Sequence, residues 1–487
     1  MKKVLIFITI FPIFANAQWS SIGILPNFSQ NQSGHIEVNN YMDFKINDLS
    51  NDLYVIHPNS NSEIYRYTNN NWSSIGDSGQ MIAFDENNIL YKISLNNLFL
   101  NPNNVPIGGI IKIHSFINNN WNVILFDTIF NLSDGINNFN GAGIFLEDFI
   151  VRNNQFYFSI SDIIITPPPQ YQNDQFIRVF NYDNTTNLIT ELPTPNIIKT
   201  RYFYSNTSNV LSTSNIMTEL DFEPSTGDLL ICGQQFNSNL IRENVVKRYD
   251  GNNWQIHGNI INLSNFIGNI SSDYISNIKM ETSLNGDLIL AFSLYTQQFD
   301  FSIPNDLLLD TLIILKYNSL NNSWNDFSSS NPELNLYYLN QFSLTVSSDG
   351  TPFIAYQNDC DAISHPTNLS CIYNHSRNVI YYDMINNSWN QLNTPMISSG
   401  MYADFWDEPL IQLNNNNEIC VYYVQALTGI VSLKCHQNIL TNIKNNHNSK
   451  KIISIKDLLG KDSKIEENKI LFYIYDDGSV EKKVIIE

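Results

Sequence analysis

Positive charge is scarce in this sequence: 26 lysines and arginines stand against 46 aspartates and glutamates, giving a net charge of −20. Nucleic-acid binding needs clustered Lys and Arg to contact phosphates, and no such cluster occurs. The same surplus of negative charge repels anionic lipid and favours solubility. Charged residues of either sign make up only 15%, too few for helices laced by i,i+4 ion pairs. No apolar run approaches the roughly 20 residues a helix needs to cross a bilayer. Also missing are a G-x-S-x-G elbow, an H-E-x-x-H helix, a phosphate-binding loop and a dinucleotide fingerprint. The seven arginines, among them Arg66, Arg178, Arg201 and Arg248, do not group as recognition of a sialic-acid carboxylate demands. Arg66 and Arg248 fall just before a turn, where a surface role is expected. No spacing of Tyr and Cys suggests copper oxidation.

What is present points to β-structure and export. Aromatic residues reach 13% and Asn-rich turns recur throughout, which suits short strands joined by tight turns. Lys2 and Lys3 precede an apolar run from Val4 to Phe14 and then Ala15-Asn16-Ala17, the pattern of a secretory signal cleaved before Gln18. An exported chain can form disulfides. Cys420 and Cys435 flank an expected hairpin turning at Leu427 and Thr428, which sets their sulfurs opposite each other, while Cys360 and Cys371 bracket one long loop. Cys232, in an apolar strand, is expected as a buried free thiol. No C-x-x-C spacing supports metal ligation by cysteine.

One unit repeats along the chain: an apolar strand, a polar turn, a second apolar-aromatic strand, a variable loop, a third strand ending in Tyr or Phe, a turn, then Trp. Trp72, Trp121, Trp254, Trp324 and Trp389 occupy that last position, and a degenerate copy at Val179-Phe180-Asn181-Tyr182-Asp183 leads to Leu188 instead. Each unit reads as a four-stranded meander, and first strands begin near residues 41, 81, 147, 219, 276, 342 and 408. The expected fold is all-β, a seven-bladed propeller. The last unit ends at Cys435 without a Trp strand. Gln18-Trp19-Ser20-Ser21-Ile22-Gly23 supplies it, since Trp19 to Gly23 repeats Trp72-Ser73-Ser74-Ile75-Gly76 residue for residue. Closure by the N-terminal strand removes an open sheet edge. The repeated tryptophans read as structural, packed between sheets with the ring N–H on a turn carbonyl.

The Tyr-Asp-x-x-x-x-Trp turn resembles kelch-type and Asp-box propeller repeats, and the whole unit is similar to repeats of exported propellers in Bacteroidetes. It lacks the paired glycines of kelch strands and the full Ser-x-Asp-x-Gly-x-x-Trp box. Ile455-Lys456-Asp457-Leu458-Leu459-Gly460-Lys461 followed by Leu471 to Lys483 resembles the end of a type IX secretion sorting domain. That resemblance implies a partner in the secretion machinery and a product released or held at the cell surface. The domains are then a signal peptide at 1–17, the propeller at 18–436, a polar linker at 437–450 and the sorting signal at 451–487.

In a propeller the loops joining second to third strands share one face, and here those loops are the long ones, about 95–109, 161–176, 234–244, 294–310 and 357–377. They carry Tyr171, Asp174, Tyr295, Phe299, Asp359, Asp361, His365, Tyr373 and His375. Trp406, off the repeat in Asp404-Phe405-Trp406-Asp407, joins them as a possible ligand platform. Aromatics beside carboxylates suit glycan stacking and hydroxyl bonding. Calcium held by Asp359 and Asp361 is the one cofactor the sequence allows. The first expectation is a monomeric, non-enzymatic propeller binding glycan or protein at the cell surface. A polysaccharide-active hydrolase or lyase using acids with His365 or His375 is the alternative, and a scaffold without a small ligand is the third reading. Acids converging in a central funnel discriminate for the enzyme.

Overall fold

The computed structural model describes residues 19–23, 25, 42–57, 62–100, 106–130, 144–163, 172–202, 204–206, 209–211, 218–239, 242–262, 275–283, 285–294, 309–327, 336–337, 342–358, 374–384, 386–392, 396–399, 409–414, 418–425, 430–436, 452–456, 470–475 and 480–484. These residues are strand and turn, without a helix. Among them, therefore, no helix is long and apolar enough to cross a membrane.

Seven antiparallel four-stranded blades follow one another along the chain and form a propeller. Their first strands are Asp43–Ile46, Met81–Phe84, Ile144–Arg152, Leu220–Phe222, Ile275–Thr282, Phe342–Val346 and Leu410–Leu413, close to the seven starts read from the sequence. The seventh blade takes its fourth strand from the other end of the chain. Trp19–Ser21 lies beside Ile430–His436, with Ile22 N–H donating to the Leu433 carbonyl at 2.9 Å. Cys420 and Cys435, on neighbouring strands of that blade, are disulfide-bonded.

Asparagine explains the tight turns. Asn69-Asn70, Asn118-Asn119 and Asn153-Asn154 each hold both residues at φ between +50° and +63°, as a two-residue hairpin turn matching the strand twist requires. The hydrophobic core lies in layers between blades: Phe44, Leu53 and Val55 of blade 1 pack with Tyr422, Leu433 and Cys435 of blade 7, and blades 2 and 3 meet through Ile111, Ile113, Phe149 and Phe156. The expected buried free thiol is found at Cys232, within the layer between blades 4 and 5.

The tryptophans tie the layers together. The ring N–H of Trp72 reaches the Ile22 carbonyl at 2.8 Å, Trp121 that of Ile75 at 3.0 Å, and Trp324 that of His257 at 3.0 Å. Each acceptor stands three residues after the Trp of the preceding blade (Trp19, Trp72 and Trp254), so the acceptor belongs to the neighbouring blade rather than to the tryptophan's own turn. Blade 3 is where the pattern breaks. Tyr182 faces Ile189 as Tyr67 faces Trp72, so Ile189, not Leu188, fills the tryptophan position.

Several stretches read as loops are strand. Leu90–Leu100 and Pro106–Ile117 of blade 2 run far into the expected 95–109 loop. In blades 3, 5 and 6 the third strand projects past the blade and is joined by a short strand from the connection that follows: Ile198–Tyr202, Leu336–Tyr337 and Met396–Ser399. The propeller blades fall within one unit, Trp19–Cys435. Outside it, Ile452–Lys456, Ile470–Tyr475 and Val480–Val484 form a three-stranded antiparallel sheet.

Candidate functional site in the channel

Alternate residues of a strand point to opposite faces, and the first strands of the blades divide accordingly. Phe44, Phe149, Leu220 and Met280 are buried. The residues between them, Asp43 and Lys45 of blade 1, Asp148 of blade 3, Glu219 and Asp221 of blade 4, and Glu281 of blade 5, are half-buried, while Lys279 of blade 5 is buried. The ring gathers them. Lys45 feels Asp43 first and then Asp148, Glu281 and Glu219, although these come from four different blades.

Backbone N–H groups anchor most of the carboxylates. Asp43 accepts from Phe44 at 2.8 Å and from Ile82 of blade 2 at 2.8 Å. Asp148 accepts from Phe149 at 2.7 Å and from Leu220 of blade 4 at 2.6 Å. Glu219 accepts from Met280 of blade 5 at 2.6 Å and pairs with the Lys279 ammonium at 2.9 Å. Asp221 accepts from Phe222 at 2.7 Å and from Thr282 of blade 5. These four carboxylates thus stitch inner strands together, within a blade or between neighbours. Glu281 differs, because no hydrogen bond to a described residue holds its carboxyl group.

Enclosure raises the acids' hold on their protons, since a charged carboxylate loses water there. Burial, then the nearby Glu219, pushes Asp148 up to about 7. Asp221 and Glu281 act as a pair: burial pushes Asp221 up to about 6, and burial together with Asp221 pushes Glu281 up to about 8. Lys45 is shifted upward as well, because Asp43 and the surrounding carboxylates outweigh the cost of its burial. Near neutral pH the channel therefore holds both protonated and ionised carboxyl groups, which is the condition for acid–base chemistry between two carboxylates. No group of three or more His, Cys, Asp or Glu side chains among the described residues could hold a metal ion.

Two of the residues singled out from the sequence are described, and both lie on third strands. Asp174 sits on the projecting third strand of blade 3, opposite Thr200, and His375 on that of blade 6, opposite Ser398. Tyr171, Tyr295, Phe299, Asp359, Asp361, His365, Tyr373 and Trp406 lie outside the described residues, as do Cys360 and Cys371. Neither Asp174 nor His375 lies on an inner strand. A signal for the channel was nevertheless present: Asp43-Phe44, Asp148-Phe149 and Asp221-Phe222 repeat one dipeptide at the first strand of three blades. The arginines serve the frame. Arg66 pairs with Asp52 at 2.6 Å and Arg248 with Asp228 at 3.7 Å, each joining a third strand to the first turn of its own blade. Lys316 and Asp287 repeat that pairing in blade 5. Arg178 is buried between Asp162 and Glu191.

No protein-family model matches the sequence, and no curated protein matches it. Solved structures do resemble it in fold. An α-L-arabinanase from Penicillium chrysogenum in complex with arabinobiose is similar over 86% of this chain and 97% of its own, at 10% identity and TM-score 0.38. The α-L-arabinofuranosidase Arb93A from Fusarium graminearum is similar over 88% and 99%, at 9% identity and TM-score 0.37. Hydrazine synthase from Kuenenia stuttgartiensis is similar over 83% and 98%, at 8% identity and TM-score 0.42.

Proposed function

We propose that this propeller cleaves glycosidic bonds of a polysaccharide, with the reaction centred on the carboxyl groups of its channel. One observation carries the reading: acids from blades 1, 3, 4 and 5 converge on Lys45, and those of blades 3, 4 and 5 include groups of separated proton affinity. Glycoside hydrolysis needs two carboxyl groups of different protonation, one to protonate the leaving oxygen and one to act as base or nucleophile. Glu281 takes the first role. It retains its proton near neutrality, and no hydrogen bond to a described residue restrains its reach. Asp43 takes the second, oriented by the N–H groups of Phe44 and Ile82 with Lys45 at 3.9 Å. The channel thus favours the hydrolase alternative over a non-enzymatic binding module. An exported protein meets polysaccharide outside the cell, so a leader at 1–17 and a sorting tail at 451–487 fit the same reading.

The test is release of reducing ends from a panel of plant and microbial polysaccharides by the full chain and by Glu281→Gln. Removing a general acid lowers the rate about 10²- to 10⁴-fold, with binding retained. Tight glycan binding without product from the wild-type protein would return the assignment to a binding module.

A further inference from the structure

Resting on the carbohydrate reading above, we propose that the channel accepts sugars bearing a primary ammonium group and rejects sugars bearing a carboxylate. Five carboxyl groups line it, from Asp43, Asp148, Glu219, Asp221 and Glu281, against two ammonium groups. Those two are matched locally: Lys279 lies 2.9 Å from Glu219, and Lys45 lies 3.9 Å from Asp43. Among the described residues, no ion pair gives Asp148, Asp221 or Glu281 a cation of its own. Arg152, at the far end of the blade 3 inner strand, lies over the Phe222 ring. Charges in an enclosed space act on one another more strongly than in water, so an arriving ammonium eases ionisation of these acids and is held by it, whereas a carboxylate opposes it and is disfavoured.

A second observation points the same way. Asn277, on the blade 5 inner strand, alternates onto the face that carries Lys279 and Glu281. It is 2% exposed, and its side-chain oxygen has no hydrogen-bond partner. A buried acceptor without a donor is a defect that a ligand can repair. Once ionised these carboxyl groups only accept, and an amino sugar supplies donors from both its ammonium and its hydroxyl groups. The acids are too dispersed to close on a metal ion, which suits an extended cation. Acids that hold protons near neutrality give them up when an ammonium arrives, so binding and proton release are linked.

Calorimetry of the full chain at about pH 6, in two buffers of different ionisation heat, tests this with four probes: the tetramers of glucosamine, N-acetylglucosamine and galacturonic acid, and spermidine as an ammonium without a sugar. The glucosamine tetramer is expected to bind about tenfold more tightly than its acetylated counterpart, to release protons and to weaken with salt. Galacturonate is expected not to bind, and spermidine to bind more weakly than the glucosamine tetramer. In Glu281→Gln the preference for the free amine should fall about tenfold, and the salt dependence of the wild-type protein gives the same information should that variant not fold. Equal affinity for the free and acetylated tetramers, binding of galacturonate, or spermidine matching glucosamine overturns the inference. Because the readout is binding, it is separate from cleavage: release of neutral sugars without amine preference sinks only this inference, and amine-selective binding without release sinks only the hydrolase.

Discussion

Gly23 shows how one residue serves the contact between blades. Its φ is +63°, and a Cβ there would lie 2.7 Å from the Trp72 ring. Gly76 occupies the same place in blade 1, at φ +72°, with nothing within 4 Å of a built Cβ. Gly23→Ala therefore meets both backbone strain and a clash, Gly76→Ala strain alone. Thermal unfolding should show Gly23→Ala destabilised by about 2–3 kcal/mol and Gly76→Ala by about 1 kcal/mol, and equal losses would mean that the Trp72 contact contributes nothing. Glu281 makes a second residue-scale prediction. Its carboxyl group binds a proton more tightly folded than unfolded, so ionising it weighs against the fold. That cost is absent well below the ordinary carboxylate range, grows as pH rises through it and is complete above about 8. Glu281→Gln should therefore match the wild type near pH 4 and melt at a higher temperature near pH 9; a lower melting temperature at high pH would contradict the direction of the shift.

Among the elements, the seventh blade is held in two ways. The Cys420–Cys435 disulfide joins two of its strands across a sequence separation of 15, and Trp19–Ser21 completes its edge. Replacing both cysteines by alanine is expected to lower unfolding free energy by about 2–4 kcal/mol in denaturant titration, and no change would mean the strand pairing alone fixes the blade. Much at this scale was legible beforehand. Trp19 announced the closing strand because its segment copies Trp72 to Gly76. The loops were less so: 95–109 read as a variable connection, but Leu95 at its start and Ile111 just past its end pair and lie buried in the layer against blade 3, so the hairpin continues into it. Ile189 was missed because Leu188 stands one position nearer the turn, where chain counting places the tryptophan and strand register does not.

For the whole molecule, the channel was the part hardest to see. Asp43, Asp148, Asp221 and Glu281 lie far apart along the chain and meet only because the ring closes. Their dipeptide signal occurs in three blades, while Met81, Ser343 and Leu410 hold comparable inner-strand places in others. The long-loop residues drew attention instead because loop length is visible in a sequence and convergence is not. The secretion reading also belongs at this scale. A chain lacking 451–487 is expected to remain in the periplasm, as fractionation and immunoblotting would reveal; normal appearance outside the cell would refute the sorting role.

The fourth strand of the last blade also sets an order of events. Trp19 is made more than 400 residues before its partner strand, Ile430–His436. The strand made ahead of blade 1 thus cannot find its place in blade 7 until the strands of that blade exist. Joining ends so distant in sequence is slow, because the entropy of closing that loop falls due before any contact offsets it. Folding of this ring is therefore a matter of timing: the channel acids meet as a set only when the chain's two ends come together.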